Sequence, residues 1–170
     1  MKTFVLFAAA LASPVAAHVV MAPAAATAGS YYAGEFRIGH GCGDAATTAV
    51  RIEVPDGVLI ARPRPKAGWA IEIERSLLAK PVVSEGKEQR DRVSAITWRG
   101  HLPSDQFDGF GLMLKLPKGS SGPLYLPVQQ SCGGETVAWS EIPAAGQSWG
   151  ALKHPAPVLT IEAAPAGHGH

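Results

Sequence analysis

Thr47-Thr48-Ala49-Val50-Arg51-Ile52-Glu53-Val54, followed by Pro55-Asp56-Gly57, sets the fold class of this chain. Val50, Ile52 and Val54 fall on one side of an extended backbone, and Arg51 and Glu53 on the other. A period of two residues is the pattern of a half-buried β-strand. Pro-Asp-Gly then ends the strand in a turn. Helical periodicity is nearly absent elsewhere, and the same grammar of short β-rich runs between Gly, Pro and Asp punctuation repeats along the chain.

Outward from that stretch, strands are predicted over residues 18–21, 31–38, 58–62, 69–74, 93–99, 107–116, 124–131, 136–142 and 158–161. Residues 24–29 read as a small-residue turn, and 77–92 as a polar, irregular, protruding hairpin or loop. Residues 163–170 form an Ala/Gly/His tail expected to be disordered. Short strands at this spacing predict an all-β, antiparallel sandwich of immunoglobulin type.

The first seventeen residues read as a secretory leader. Lys2 supplies the positive end and residues 4–12 a short apolar run. Ser13 and Pro14 break that run, and Val15 and Ala17 are the small residues that a signal peptidase reads. Cleavage after Ala17 predicts a periplasmic or secreted protein that begins at His18. The expected organisation is leader 1–17, one domain 18–162 and tail 163–170. No second apolar run is long enough to span a bilayer. The net charge is +1 and no basic run occurs, so nucleic acid and anionic membrane surfaces are not expected partners. Cys42 and Cys132 are the two cysteines. In an exported chain an isolated pair is most simply a disulfide; the alternative is a thiolate metal site, which lacks C-x-x-C spacing here.

A histidine at a free N-terminus can bind a metal through its α-amine and its Nδ1 together. Neutral nitrogens in a tetragonal arrangement suit Cu(II).

The chain resembles the YcnI-like family of exported bacterial copper-binding domains. The resemblance is carried in order by Ala17-His18-Val19, Cys42-Gly43-Asp44-Ala45-Ala46-Thr47-Thr48, Val54-Pro55-Asp56-Gly57-Val58 and Arg62-Pro63 through Gly68-Trp69. It continues through Leu102-Pro103 to Phe107, Pro127-Val128-Gln129-Gln130, Val137-Ala138-Trp139 and His154-Pro155-Ala156-Pro157. It implies an immunoglobulin-like sandwich, a Cu(II) site built on one N-terminal histidine, and copper handling outside the cytoplasm rather than catalysis. The implied partners are the copper ion and other exported or membrane copper-handling proteins.

The family site is understood to use that histidine, a glutamate after the Leu-Pro turn and a late tryptophan. His18 and Trp139 match the first and last. Gly109 stands where the family has an acidic residue directly before a phenylalanine, here Phe110. Asp108 is then the nearest carboxylate candidate, with Asp105, Glu35, Glu141 or water as substitutes. In a regular strand Asp108 points away from the side of position 109, and a bulge at Gly109 would be needed to turn it.

Bland roles stand beside these. Trp139 can be an ordinary core aromatic. Trp69 and Trp98 alternate with apolar residues and read as core, and Trp149 lies in a Gly/Ser loop with no assigned role. His40 and His101 read as solvated loop residues and His154 as part of a turn. His168 and His170 form a flexible pair able to capture metal weakly. Two other functional classes remain. A copper-dependent oxidative enzyme of the lytic polysaccharide monooxygenase type would need a second histidine, His101 or His154. A structural sandwich would need no metal. No Ser-His-Asp pattern, H-E-x-x-H or phosphate-binding glycine loop supports other chemistry.

Overall fold

A computed structural model describes residues 18–165 of the chain. The predicted leader, 1–17, lies outside the described residues, as do positions 166–170, which include His168 and His170.

Among the described residues, twelve strands follow in order. They are β1 (Val20–Ala22), β2 (Ala25–Thr27), β3 (Tyr31–Ile38), β4 (Thr47–Glu53), β5 (Ala61–Pro63) and β6 (Ala70–Ser84). Then come β7 (Lys87–Leu102), β8 (Asp108–Lys115), β9 (Gly122–Tyr125), β10 (Val128–Cys132), β11 (Glu135–Trp139) and β12 (Val158–Glu162). One 3-10 turn, Trp149–Ala151, interrupts the loop before β12. The strands make a four-stranded sheet β1-β3-β8-β5, a five-stranded sheet β11-β10-β4-β7-β6 and a small sheet β2-β12-β9. All pairings are antiparallel except that of β2 with β12. The expected all-β, immunoglobulin-like sandwich is the observed architecture.

Alternation builds the core. In β3 every second residue is buried, which turns Tyr32, Phe36 and Ile38 inward. Val50, Ile52 and Val54, the residues that set the fold class, are all buried, and Val50 and Ile52 lie opposite Trp98 and Ile96 in the β4–β7 ladder. Trp98 and Phe110 meet edge to face at 5.8 Å, and Trp69 covers Phe110 at 4.8 Å.

Two local readings change. Residues 24–29 contain β2, a strand of small residues that pairs with β12, where Ala26 lies opposite Ile161. Residues 124–131 split into β9 and β10, which belong to different sheets. Pro127 has no N–H to give a ladder, so the chain changes partners there, and Leu126 donates instead to Pro157 O. Residues 77–92 form a protruding hairpin, one of the two forms expected, with a register shift between Leu77 and Val82. They continue the β6–β7 hairpin to a turn at Glu85 and Gly86, both at positive φ. The hairpin's outer half buries neither face, and Leu77 is 85% exposed, so the strand pattern is invisible there.

Gly34 is required by a close approach. The Tyr32 ring folds over it, and a Cβ at position 34 would lie 2.0 Å from the Tyr32 hydroxyl oxygen. That hydroxyl donates to Pro23 O at 2.7 Å. Burial, with Glu35 nearby, pushes the Tyr32 phenol from 10.0 up to about 12. Gly34→Ala is therefore expected to displace the ring and cost about 2 kcal/mol of unfolding free energy, measured by denaturant titration. Because the folded phenol holds its proton longer than the unfolded one, stability is present below pH 10.0 and falls as pH rises toward about 12. Tyr32→Phe is expected to flatten that alkaline slope.

Candidate functional site

β1 and β11 are terminal strands of the two larger sheets. His18 stands two residues before β1, and Trp139 is the last residue of β11. The His18 ring lies 6.2 Å from the Trp139 ring and 5.0 Å from that of Trp149, edge-on to both. His154 adds a second imidazole, 5.2 Å from Trp139 and nearly perpendicular to it. Val19, fully buried beside His18, pins the start of the chain into the core.

Hydrogen bonds fix both indoles and the His154 main chain. The Trp149 indole donates to Ala156 O at 2.7 Å, which fixes the 3-10 turn against the segment before β12. His154 donates its main-chain N–H to the Glu141 carboxylate at 2.9 Å. Its carbonyl accepts from Ser140 N and Glu141 N, so the two segments run side by side. The Trp139 indole donates to Gln130 Oε1 at 3.1 Å. Gln130 in turn donates through Nε2 to His40 O and to Thr47 Oγ1, each at 2.8 Å. Thr47 Oγ1 lies 3.7 Å from Cys132 Sγ.

Cys42 and Cys132 are joined as a disulfide with a Cα–Cα distance of 5.8 Å. It ties the loop before β4 to the end of β10. With both sulfurs bonded, the thiolate alternative has no ligand to offer.

The three residues singled out as metal candidates are not gathered in one group. His18 and Trp139 stand together. Asp108 forms an ion pair with Lys66 at 2.6 Å and accepts the Gly109 N–H at 2.8 Å, so both its oxygens are engaged. The β3–β8 ladder keeps unbroken register from Tyr31 opposite Lys115 to Ile38 opposite Asp108, so no bulge at Gly109 turns that side chain. The space beside Gly109 holds the Glu35 carboxylate instead. A Cβ at 109 would fall 2.7 Å from Glu35 Oε2, and Arg37 pairs with the other oxygen at 2.9 Å. Among the described residues, no three His, Cys, Asp or Glu side chains converge as a metal cage.

Trp149 and Gln130 belong to this cluster without having been assigned to it from sequence, and the sequence offers His154 to a site only as a candidate second histidine of an oxidative enzyme. Trp149 is brought in by a loop whose path depends on packing. The adjacent Pro155 and Ala156 are both buried. Their burial is the one local trace that the segment around His154 docks on the body.

The sequence profile of a family described as "Domain of unknown function (DUF1775)" matches residues 18–161. No curated protein gives a significant match. Among solved structures, the chain is similar to an uncharacterized protein from Nocardia farcinica, whose crystal structure reveals an immunoglobulin-like fold. The two are 31% identical, with a TM-score of 0.64, over 85% of this chain and 97% of that one.

Proposed function

The chain belongs to the DUF1775 family, also called YcnI-like, and from that premise we propose that it is an exported Cu(II)-binding protein that carries copper outside the cytoplasm. The observation that supports this best is the setting of His18. It opens the family-matched region and is packed against Trp139 and Trp149. If the leader is cut after Ala17, His18 contributes two nitrogens by itself. The scarcity of converging side-chain ligands then matters less, because the α-amine adds a main-chain nitrogen to the imidazole and the two form a chelate. Nitrogen donors with both sulfurs locked in a disulfide suit Cu(II) rather than Cu(I).

Trp139 is a wall in this reading and not a ligand. An indole N–H is a donor only, and here it is given to Gln130. Trp139 and Trp149 would exclude water from one side of the His18 chelate. The protein holds the ion and exchanges it with other exported or membrane copper-handling proteins; it does not turn over a substrate. Its disulfide accords with a periplasmic or secreted location.

Titration of the chain cut after Ala17 is expected to reach one Cu(II) per molecule, with His18→Ala losing that binding. Equal affinity in His18→Ala would overturn the proposal. A copper-dependent oxidative enzyme is the second reading. His154, a second imidazole on the same indole, is the observation that favours it. Oxidised oligosaccharides released from a polysaccharide in the presence of ascorbate would select it.

A further inference from the structure

Gln130 occupies a place that its strand would ordinarily give to an apolar side chain. Along β10, Val128, Gln130 and Cys132 point inward and are buried, while Gln129 is exposed. Gln130 itself is 2% exposed. An amide in such a position is costly unless every polar atom is satisfied. Here both Nε2 protons are used, on His40 O and Thr47 Oγ1, and Oε1 takes the Trp139 N–H. In the β10–β11 ladder Gln130 lies opposite Val137, and Trp139 opposite Val128. Gln130 and Trp139 are therefore diagonal neighbours on one face, within reach of a long side chain.

We propose that Gln130 is a positioning residue for the His18 site, holding the Trp139 indole in the orientation that meets the His18 ring. The inference rests on the proposed copper reading for its consequence and on geometry alone for its mechanism. An aromatic wall is useful to a metal site only if it is fixed, and packing alone leaves an indole free to slide or flip. The hydrogen bond from Nε1 sets the rotation of the ring about χ2. The two anchors on the far end of Gln130 set the position of the acceptor. They come from the His40 loop and from β4, so Trp139 is referenced to the centre of the five-stranded sheet although it sits on an edge strand. Groups that orient a metal site without touching the ion commonly change affinity by about tenfold or more when lost.

The experiment is a double-substitution cycle on the full chain processed after Ala17, with Gln130→Met and Trp139→Phe. The first readout needs no metal. The ring-proton chemical shifts of His18 report the aromatic ring currents around it. Gln130→Met is expected to move them. The second readout is Cu(II) affinity with the paramagnetic resonance spectrum, using copper alone. Gln130→Met is expected to lower affinity about tenfold and change the spectrum. In the Trp139→Phe background there is no indole N–H to orient, so Gln130→Met should then add nothing to either readout. Additive effects in the two backgrounds, or His18 shifts that do not move, would overturn the proposal. Thr47→Val removes one of the two anchors and serves as the second probe if Gln130→Met does not fold; it is expected to shift His18 in the same direction. If the unsubstituted protein binds no copper at His18, the copper reading fails, and the ring-shift arm still decides the role of Gln130.

Discussion

Replacing Cys42 and Cys132 together by serine is expected to lower the unfolding free energy by about 4 kcal/mol, the loop-closure entropy of a bridge of this span. The bonded residues are 90 apart in sequence, so the bridge restricts most of the unfolded domain. It is also placed where the native state gains. Cys132 ends β10 beside Thr47, the first residue of β4, and Cys42 begins the short loop that leads into it. Against the typical total of about 5–15 kcal/mol, such a loss leaves a marginal protein. The prediction is read as a lower guanidinium midpoint in the double serine variant, compared with the oxidised protein. A shift worth less than about 1 kcal/mol would show that the bridge is not what limits the unfolded chain.

The same substitution bears on the site. The disulfide, Thr47, Gln130 and Trp139 form one buried polar series, and each of the last three is nearly inaccessible to solvent. Satisfied networks of this kind rigidify a core, and partly satisfied ones weaken it. Loosening of the Cys42 loop is expected to reach Trp139 before global unfolding. Faster amide exchange in β11 than in β7 would be its signature.

How far the fold was legible follows from where its strands bury side chains. β3 and β4 alternate because one face of each packs on the core, and a period of two then appears in the residues. β2 carries only Ala, Ala and Thr, and small residues hold no readable period. The outer half of the β6–β7 hairpin exposes both faces, so its residues are chosen for solvent and for cross-strand charge pairs such as Arg75 with Asp91. The disulfide was legible because an isolated cysteine pair in an exported chain has few other uses. Of the candidate site, the proximity of His18 and Trp139 was suggested by family resemblance and by nothing local, since the two are far apart in sequence. Gln130 was hidden for a different reason. A glutamine in a β-strand reads as solvent-facing, and only the inward parity set by Val128 and Cys132 reveals that it is buried.

Adding a single residue before His18 is expected to weaken Cu(II) binding by about two orders of magnitude or more while leaving the fold untouched. Only one donor changes. The extended chain keeps the His18 imidazole, Trp139, Trp149 and His154, but the α-amine becomes a peptide nitrogen. In the proposed chelate the amine and Nδ1 belong to one residue, so once either binds, the other is presented at high effective concentration. The extension removes that advantage and nothing else. Among the described residues no cage of three side-chain ligands is available to compensate. Both nitrogens bind metal only when deprotonated, so acid should release copper from the processed protein. Trp139→Phe should perturb the copper spectrum by altering the wall beside His18, with a smaller loss of affinity than the extension causes. Electron paramagnetic resonance and competition titration on the two termini decide the matter. Identical signals and affinities with and without the added residue would mean that the N-terminal chelate does not form in this protein.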